Sequence, residues 1–284
     1  TGLSILLVGK NPASALYCSA TLKACDTVGI KTYEYRLPDD TSTNEILNII
    51  HSINHDERIN GLLILLPMPP HINERRVINT LSAQKDVDGL GAIAVGRLAA
   101  DESIIQLFHE QYHRALQDKT FLSTFSSFLP CTPFGVIRLL DYYGVKIRGS
   151  NAVVIGKSLA VGRPLSLMLL ARGATVSVCH KETQDLKHYL MNADIICTAT
   201  GVKGLIKGGM FREGAVVVDI GINVLPDKRI VGDVDFDSAY KHASMITPVP
   251  GGVGPVTIAM LLENTVRSAQ IHELQYRPFN FYVP

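Results

Sequence analysis

Cysteine is scarce in this chain and forms no pattern. The five cysteines, at positions 18, 25, 131, 179 and 197, make no C-x-x-C pair, and an odd count at scattered spacing fits a reducing compartment better than a disulfide framework. An excess of charge of one sign is missing too: the net charge is +1 and no basic tract is visible, which argues against nucleic acid as the main partner. No apolar run nears the length that a bilayer crossing needs, so no membrane contact is expected, and neither low-complexity segments nor internal repeats are visible. The opening residues, TGLSILLVG, include no methionine and no leader. Upstream residues are expected to have been removed or left out, together with any targeting peptide. The expected location is therefore cytoplasmic, with organelle targeting left open. What is present is apolar residues, 46% of 284, enough for the cores of one large domain or two ordinary ones.

Residues 151 to 170, NAVVIGKSLAVGRPLSLMLL, organise the rest. Ala152 to Ile155 is short and β-branched, as a buried strand should be, and Gly156 ends it with a residue that tolerates positive φ. Gly162 permits close backbone approach, and Pro164 suits the first turn of a helix. A helix starting there directs a partial positive charge at whatever lies above the strand end, typically a pyrophosphate. The glycines do not follow G-x-G-x-x-G, so on this stretch alone a plain strand-turn-helix competes with a nucleotide site. Leu165 to Leu170 completes the helix, Gly173 closes it, and ATVSVCH (174 to 180) reads as the next strand. Together they predict the β-α-β unit that a dinucleotide site requires.

From the start, residues 3 to 9 read as a buried strand, followed by a helix from NPAS to a cap at Gly29. On that helix Tyr17 and Thr21 share a face, whereas Lys23 is turned away. KTYEYRLP is a second strand. Ser42 and Glu45 form a capping box for a helix with core face Ile46, Ile49, Ile50 and Ile53. GLLILLP (61 to 67) is a doubly buried third strand, and a short helix, Glu74 to Leu81, leads to KDVDG, whose spacing alone favours a simple turn. Between 99 and 129 the character changes. Ile104, Ile105, Phe108, Tyr112 and Leu116 predict one amphipathic helix before a Ser/Thr/Phe-rich loop. Within it His109 to His113 matches H-E-x-x-H, which can hold zinc with Glu110 as base. No third ligand follows, so both histidines are read as polar-face residues and no metal is expected. After helix FGVIRLLDYYG come strands at 193 to 201 and 214 to 223. ITPVPGGVGP then makes a rigid loop before a helix from Pro255 long enough to return to the first lobe. The expected architecture is α/β and two-lobed, with parallel sheets: residues 1–130, residues 131–254 as the Rossmann-like lobe, and helix 255–270 packing back on the first. A cleft lies between them.

NPAS with Tyr17, TS-x-x-E, GLLILLPMP, KDVDG, VGRL, PCTP-x-G, VVIGKS-x-x-VGRP, TVSVCH, GAVVVDIGIN, VGDVDF and TPVPGGVGPVTIAMLLENT occur in unbroken order. Together they resemble the methylenetetrahydrofolate dehydrogenase/cyclohydrolase family, apart from the 99–129 region, where this chain carries extra residues, and the start. The resemblance implies a folate one-carbon substrate in the cleft, a nicotinamide cofactor on the second lobe, and a homodimer. It places Tyr17, Asp88 and position 21 at the catalytic centre. Leu65, Leu66, Pro67, Pro250, Gly251, Gly252, Val253 and Thr257 would join Tyr17 and Asp88 around the substrate. For the cofactor it implies Gly156, Lys157, Ser158, Val161, Gly162, Arg163 and Pro164 at the first turn, His180 and Lys181 after the next strand, and Thr200, Gly221, Ile222 and Asn223 beyond.

Two positions depart from the family pattern: its catalytic lysine is Thr21 here, and its glutamine before Leu-Pro is Leu65. Oxidising the methylene bridge leaves a cation stabilised by its own nitrogens and needs mainly orientation. Hydrolysing the methenyl product needs a water oriented and deprotonated, work suited to a lysine of lowered pKa. The expectation is therefore a dehydrogenase whose cyclohydrolase step is lost or weak. Full bifunctionality, with Lys10 or Lys23 swinging in, is the first alternative; a catalytically silent folate-binding subunit is the second; a shikimate-type dehydrogenase would leave PVPGGVGP unexplained. Lys157 stands where the family usually has Arg, and Lys181 where it has Ser, with Glu182 next. Two cations against one acid favour NADP over NAD, which remains possible. Cys131 and Cys179 are read as small packing residues, and Asp233 and Asp235 as loop-ordering carboxylates.

Overall fold

A computed structural model of the chain describes residues 1–100 and 127–276. The H-E-x-x-H histidines and the amphipathic stretch 104–116 lie outside the described residues.

The apolar opening run forms β1 (Gly2–Val8), buried along its whole length. It is the centre of a parallel sheet, flanked by β2 (Lys31–Leu37) and β3 (Gly61–Ile64) in the order β2-β1-β3. Between β1 and β2 runs α1 (Pro12–Thr27), started by the Asn11 side chain accepting from Ser14 N and released by Gly29 at φ 72°, where a residue without Cβ is unstrained. Next comes α2 (Thr43–His55), closed at its start by the expected Ser42–Glu45 box. Its core face is Ile46, Leu47, Ile50 and Ile53. Leu47 takes the buried place expected of Ile49, because the helix also packs on α3 (Glu74–Thr80) and its apolar face turns accordingly. The third strand is shorter than GLLILLP: Leu65 N still donates to Leu6 O, but Pro67 has no N–H for the ladder and the chain leaves the sheet. Helix α4 (Ala92–Ala100) is not legible in the sequence, since AIAVGRLAA has no clear apolar stripe.

The second half opens with α5 (Cys131–Tyr142), then β4 (Asn151–Ile155), α6 (Gly162–Ala171), β5 (Thr175–Cys179), α7 (Leu186–Leu190), β6 (Ile195–Thr198) and β7 (Val216–Asp219). The antiparallel pair β8 (Asn223–Val224) and β9 (Ile230–Val231), α8 (Phe236–Tyr240), β10 (Met245–Ile246) and α9 (Val253–Tyr276) complete it. Five strands make a parallel sheet in the order β10-β7-β6-β4-β5. The expected strand at 214–223 is split: it leaves the sheet after Asp219 and enters the β8–β9 ribbon. The elements that the sequence does not announce here run two to five residues, too short to show a period.

One apolar core is continuous through the molecule, joining Leu3, Ile5 and Leu63 of the first sheet to Val154 and Cys197 of the second through Val136, Leu165 and Leu261. The long α9 fastens the two halves. Its Ser268 hydroxyl lies 2.6 Å from Asn60 O and 2.8 Å from Gln84 O and donates its one hydrogen between these two carbonyls. No helix among the described residues is long and apolar enough to cross a membrane.

Candidate active site

A cleft of about 660 Å³ opens between the C-terminal ends of the two sheets, the place where open parallel sheets bind ligands. One wall is the α1 face carrying Ser14, Tyr17, Ala20 and Ala24, with Leu65, Leu66 and Asp88 beside it. The other is Ala160 and Val161, the Asp219–Ile222 stretch and Pro250–Val253, with Thr257 below.

Short polar links set this geometry. Ser14 Oγ donates to Leu66 O at 3.0 Å, pinning the start of α1 to the end of β3, so that Tyr17, one turn on, meets the cleft. KDVDG is more than a turn. Asp86 accepts from Gly91 N at 2.7 Å and Leu90 N at 3.2 Å, while Gly89, at φ 66°, lies so close to the Phe128–Pro130 backbone that no Cβ would fit. Asp88 is thereby presented at the cleft. Buried Asn264 of α9 donates to Val87 O at 2.9 Å and Leu129 O at 3.2 Å, and Cys131 Sγ donates to Val87 O at 3.2 Å.

Burial, aided by the neighbouring Asp86 charge, raises the Asp88 carboxyl to about 7, against the pull of its hydrogen bonds from Cys131. Burial, then Asp88, pushes the Tyr17 phenol well above its ordinary range. Burial and Asp88 likewise push the Cys131 thiol far up. The protonated, fully buried Cys131 thiol therefore packs against Asp88 as well as Val87 O and belongs to the wall of the site; Cys179 stays buried in its sheet. Asp219, at the end of β7, is raised to about 6 by burial although it accepts from Val234, Asp233 and Gly221 amides.

The expected substrate residues Tyr17, Leu65, Leu66, Asp88, Pro250, Gly251, Gly252, Val253 and Thr257 all line the cleft. Pro67 does not, because it turns outward and is exposed. Thr21, expected at the catalytic position, is also outside the lining: its side chain is fully buried and its hydroxyl has no hydrogen-bond partner. Threonine is too short to emerge past Tyr17 from that depth. Lys10 and Lys23 are exposed and line no part of the cleft.

Of the expected cofactor residues, Val161, Gly221 and Ile222 line the cleft, Asn223 opens β8, and the rest follow the ends of β4, β5 and β6. Gly156, at φ 115°, abuts Ala199 O, and Gly162 abuts Gly156 O; a Cβ at either would collide with backbone. The two glycines bring α6 hard against the strand end and leave a cradle there, which fits a dinucleotide. Amides at the start of α6 are already occupied. Ser158 Oγ accepts from Val161 N at 3.2 Å and Gly162 N at 3.4 Å, and Arg163 N donates to Ser158 O at 3.1 Å. Pro164 sits in this first turn, where it has no N–H to leave unpaired. Thr200 and Asn223 are held by Asp233, which accepts from Thr200 N at 2.6 Å and Asn223 Nδ2 at 3.1 Å. Asp233 orders the loop, as expected, and Asp235 caps α8. Glu182 is paired with Lys157 at 3.3 Å and lies 4.0 Å from Lys181, while its backbone N donates to His180 Nδ1 at 3.4 Å.

Sequence reasoning missed Ser14, Asp219 and Asn264. Each carried a weak signal: a serine inside a helix-starting turn, an acid ending an apolar strand, and an amide inside an apolar helix.

Comparison with known proteins agrees with this arrangement. Residues 1–88 match the model of the tetrahydrofolate dehydrogenase/cyclohydrolase catalytic domain, and residues 130–273 that of the NAD(P)-binding domain. The chain is 47% identical to the bifunctional protein FolD of Campylobacter jejuni over 94% of its length and 87% of the relative's. The Campylobacter jejuni FolD crystal structure is 46% identical and superposes with a TM-score of 0.82, covering 95% of this chain and 88% of the other. The Trypanosoma brucei dehydrogenase-cyclohydrolase complexed with NADP and an inhibitor is 32% identical, with a TM-score of 0.83 and coverage of 95% and 86%. On the sequence, the fold and the cleft together, the chain belongs to the tetrahydrofolate dehydrogenase/cyclohydrolase family.

Proposed function

We propose that the chain is an NAD(P)-dependent 5,10-methylenetetrahydrofolate dehydrogenase whose hydrolysis of the methenyl product is weak. The observation that carries this reading is the make-up of the cleft. Its lining includes two carboxylates, Asp88 and Asp219, and the Tyr17 phenol, but no lysine, arginine or histidine among the described residues.

Removing hydride from the methylene bridge turns a neutral substrate into a cation. Carboxylates in a poorly solvated cleft favour that change, and an ammonium would oppose it. The bound nicotinamide supplies the hydride acceptor. Asp88, fixed by Cys131 and the Asn264 links, orients the pterin, and Tyr17 closes the same wall. Gly221, Ile222 and the Pro250–Val253 loop shape the facing wall, so the residues chiefly orient and exclude water. Water activation lacks a suitable group: Thr21 is buried away, Leu65 neither donates nor accepts, and the Tyr17 phenol holds its proton.

The division of labour proposed is residues 1–130 for folate and 131–254 for the dinucleotide, with helix 255–270 returning to the first part; the chain works as a cytoplasmic homodimer, on the family resemblance. A second reading, full bifunctionality, is favoured by the name of the Campylobacter jejuni relative at 47% identity. A paired assay separates them. Methylenetetrahydrofolate should drive reduction of NAD+ or NADP+, while cofactor-free loss of methenyltetrahydrofolate should barely exceed the uncatalysed rate. Rapid enzyme-dependent loss of the methenyl compound would establish the second reading.

A further inference from the structure

We propose that Glu182 sets the balance between the two dinucleotides, by occupying the cation that a 2′-phosphate would otherwise take. The inference rests on the NAD(P) reading above. A nucleotide cradled at Gly156 extends its adenosine ribose toward the end of β5, where an acid bonds 2′- and 3′-hydroxyls and a cation accepts a 2′-phosphate. Both kinds of group are present, and they are paired with each other. Glu182 Oε2 lies 3.3 Å from Lys157 Nζ and 3.1 Å from His180 Nδ1, while Oε1 lies 4.0 Å from Lys181 Nζ.

This cluster differs from scattered surface charge in where it is anchored. Lys157 follows the tight Gly156 turn, and His180 N is tied to Thr183 Oγ1 at 2.9 Å. Glu182 thus reaches across from the β5 turn to the β4 turn, spanning the entrance of the cradle. A 2′-phosphate arriving there must displace the carboxylate from Lys157. Ribose hydroxyls face no such cost, since the carboxylate accepts from them while keeping Lys157. Lys157 is also a point charge without the forked geometry of a guanidinium, so its hold on a phosphate is readily contested. The pair is exposed, at 47% and 61% of side-chain surface, which limits the effect to a modest factor.

The test is calorimetric titration of the full chain with NADP+, NAD+, 2′,5′-ADP and 5′-AMP, comparing wild type, Glu182→Gln, Lys157→Gln and the double variant. Glu182→Gln should tighten NADP+ and 2′,5′-ADP by about fivefold, the size of an exposed pair, and leave NAD+ and 5′-AMP unchanged or slightly weaker. In the Lys157→Gln background the gain should vanish. Equal changes for phosphorylated and unphosphorylated ligands, or a gain that survives loss of Lys157, would overturn the proposal. Binding of none of the four ligands to wild type would overturn instead the NAD(P) reading beneath it.

Discussion

The interior of the cleft and its rim are charged in opposite ways. Inside, Asp88 and Asp219 face a space without a cationic side chain among the described residues. At the rim, the cations Lys157 and Lys181 flank a single acid, Glu182. Burial decides what each arrangement is worth. The interior carboxyls are desolvated enough to be raised to about 7 and about 6, so a charge introduced there is felt strongly. The rim is open to water and salt, where the same charge changes binding by small factors. In the function proposed, the first region governs which reaction runs and the second tunes which cofactor is chosen.

The strongest way to break this contrast is to put an ammonium inside. Thr21→Lys together with Leu65→Gln should raise cofactor-free hydrolysis of methenyltetrahydrofolate by about 100-fold, the usual contribution of a positioned acid–base group. It should also draw the Tyr17 phenol down from its elevated range. Hydride transfer should slow, because the new charge opposes cation formation. If both rates stay put while the variant folds normally, the missing ammonium is not what separates the two reactions.

That prediction rests on residues legible in the sequence itself, and much of the fold is legible there too. Long apolar segments announce β1, β3, β4 and their helices, because burial on both faces leaves an unbroken apolar run. Tyr17, Asp88 and the Gly156–Pro164 turn stand out through residue type and spacing. Depth does not. Thr21 and Tyr17 share a face by helical period, yet only packing against the rest of the fold shows that one reaches the cleft and the other is sealed beneath it. The partners of polar links are equally hidden: Asn264 and Val87 are 177 residues apart, and no local pattern joins an amide in an apolar helix to a distant loop. Short elements such as β8 and β9 escape because two residues carry no period.

Asn264 sharpens the contrast from the stability side. Replacing it by leucine takes the amide donor from the buried Leu129 carbonyl and leaves Val87 O only the weaker Cys131 thiol, and should cost about 3 kcal/mol in denaturant unfolding. The folate half should suffer first, since Asp88 loses its support. A loss below about 0.5 kcal/mol would show that water replaces the amide and that the link is dispensable.

Acidity provides a further measure of interior burial. Asp88 and Glu263, each raised to about 7, and Asp219, raised to about 6, bind protons more tightly folded than unfolded, where carboxyls titrate near about 4. Between about 4 and about 7 the folded chain keeps protons that the unfolded chain has released, so unfolding free energy falls as pH rises and levels off above that window. Asp56, held at about 2 by the hydrogen bonds it accepts from Arg58, is ionised in both states above about pH 5 and adds no slope there. Thermal unfolding should therefore occur at higher temperature at pH 5 than at pH 8, and Glu263→Gln should flatten the difference. A midpoint that climbs with pH would mean that these carboxyls are solvated.

The smallest effect belongs to the rim. Ser158 Oγ accepts from Val161 N and Gly162 N at 3.2 and 3.4 Å, at an exposed residue, so Ser158→Ala leaves donors that water or a ligand can reach. Its cost in stability should stay within about 1 kcal/mol, the ordinary net worth of a hydrogen bond, well below that of the buried amide. Dinucleotide binding should also survive, because the amides that serine occupies become available to an anionic ligand at the start of α6. A loss as large as that from Asn264→Leu would place Ser158 in the interior class and remove the distinction between a solvated rim and a desolvated floor.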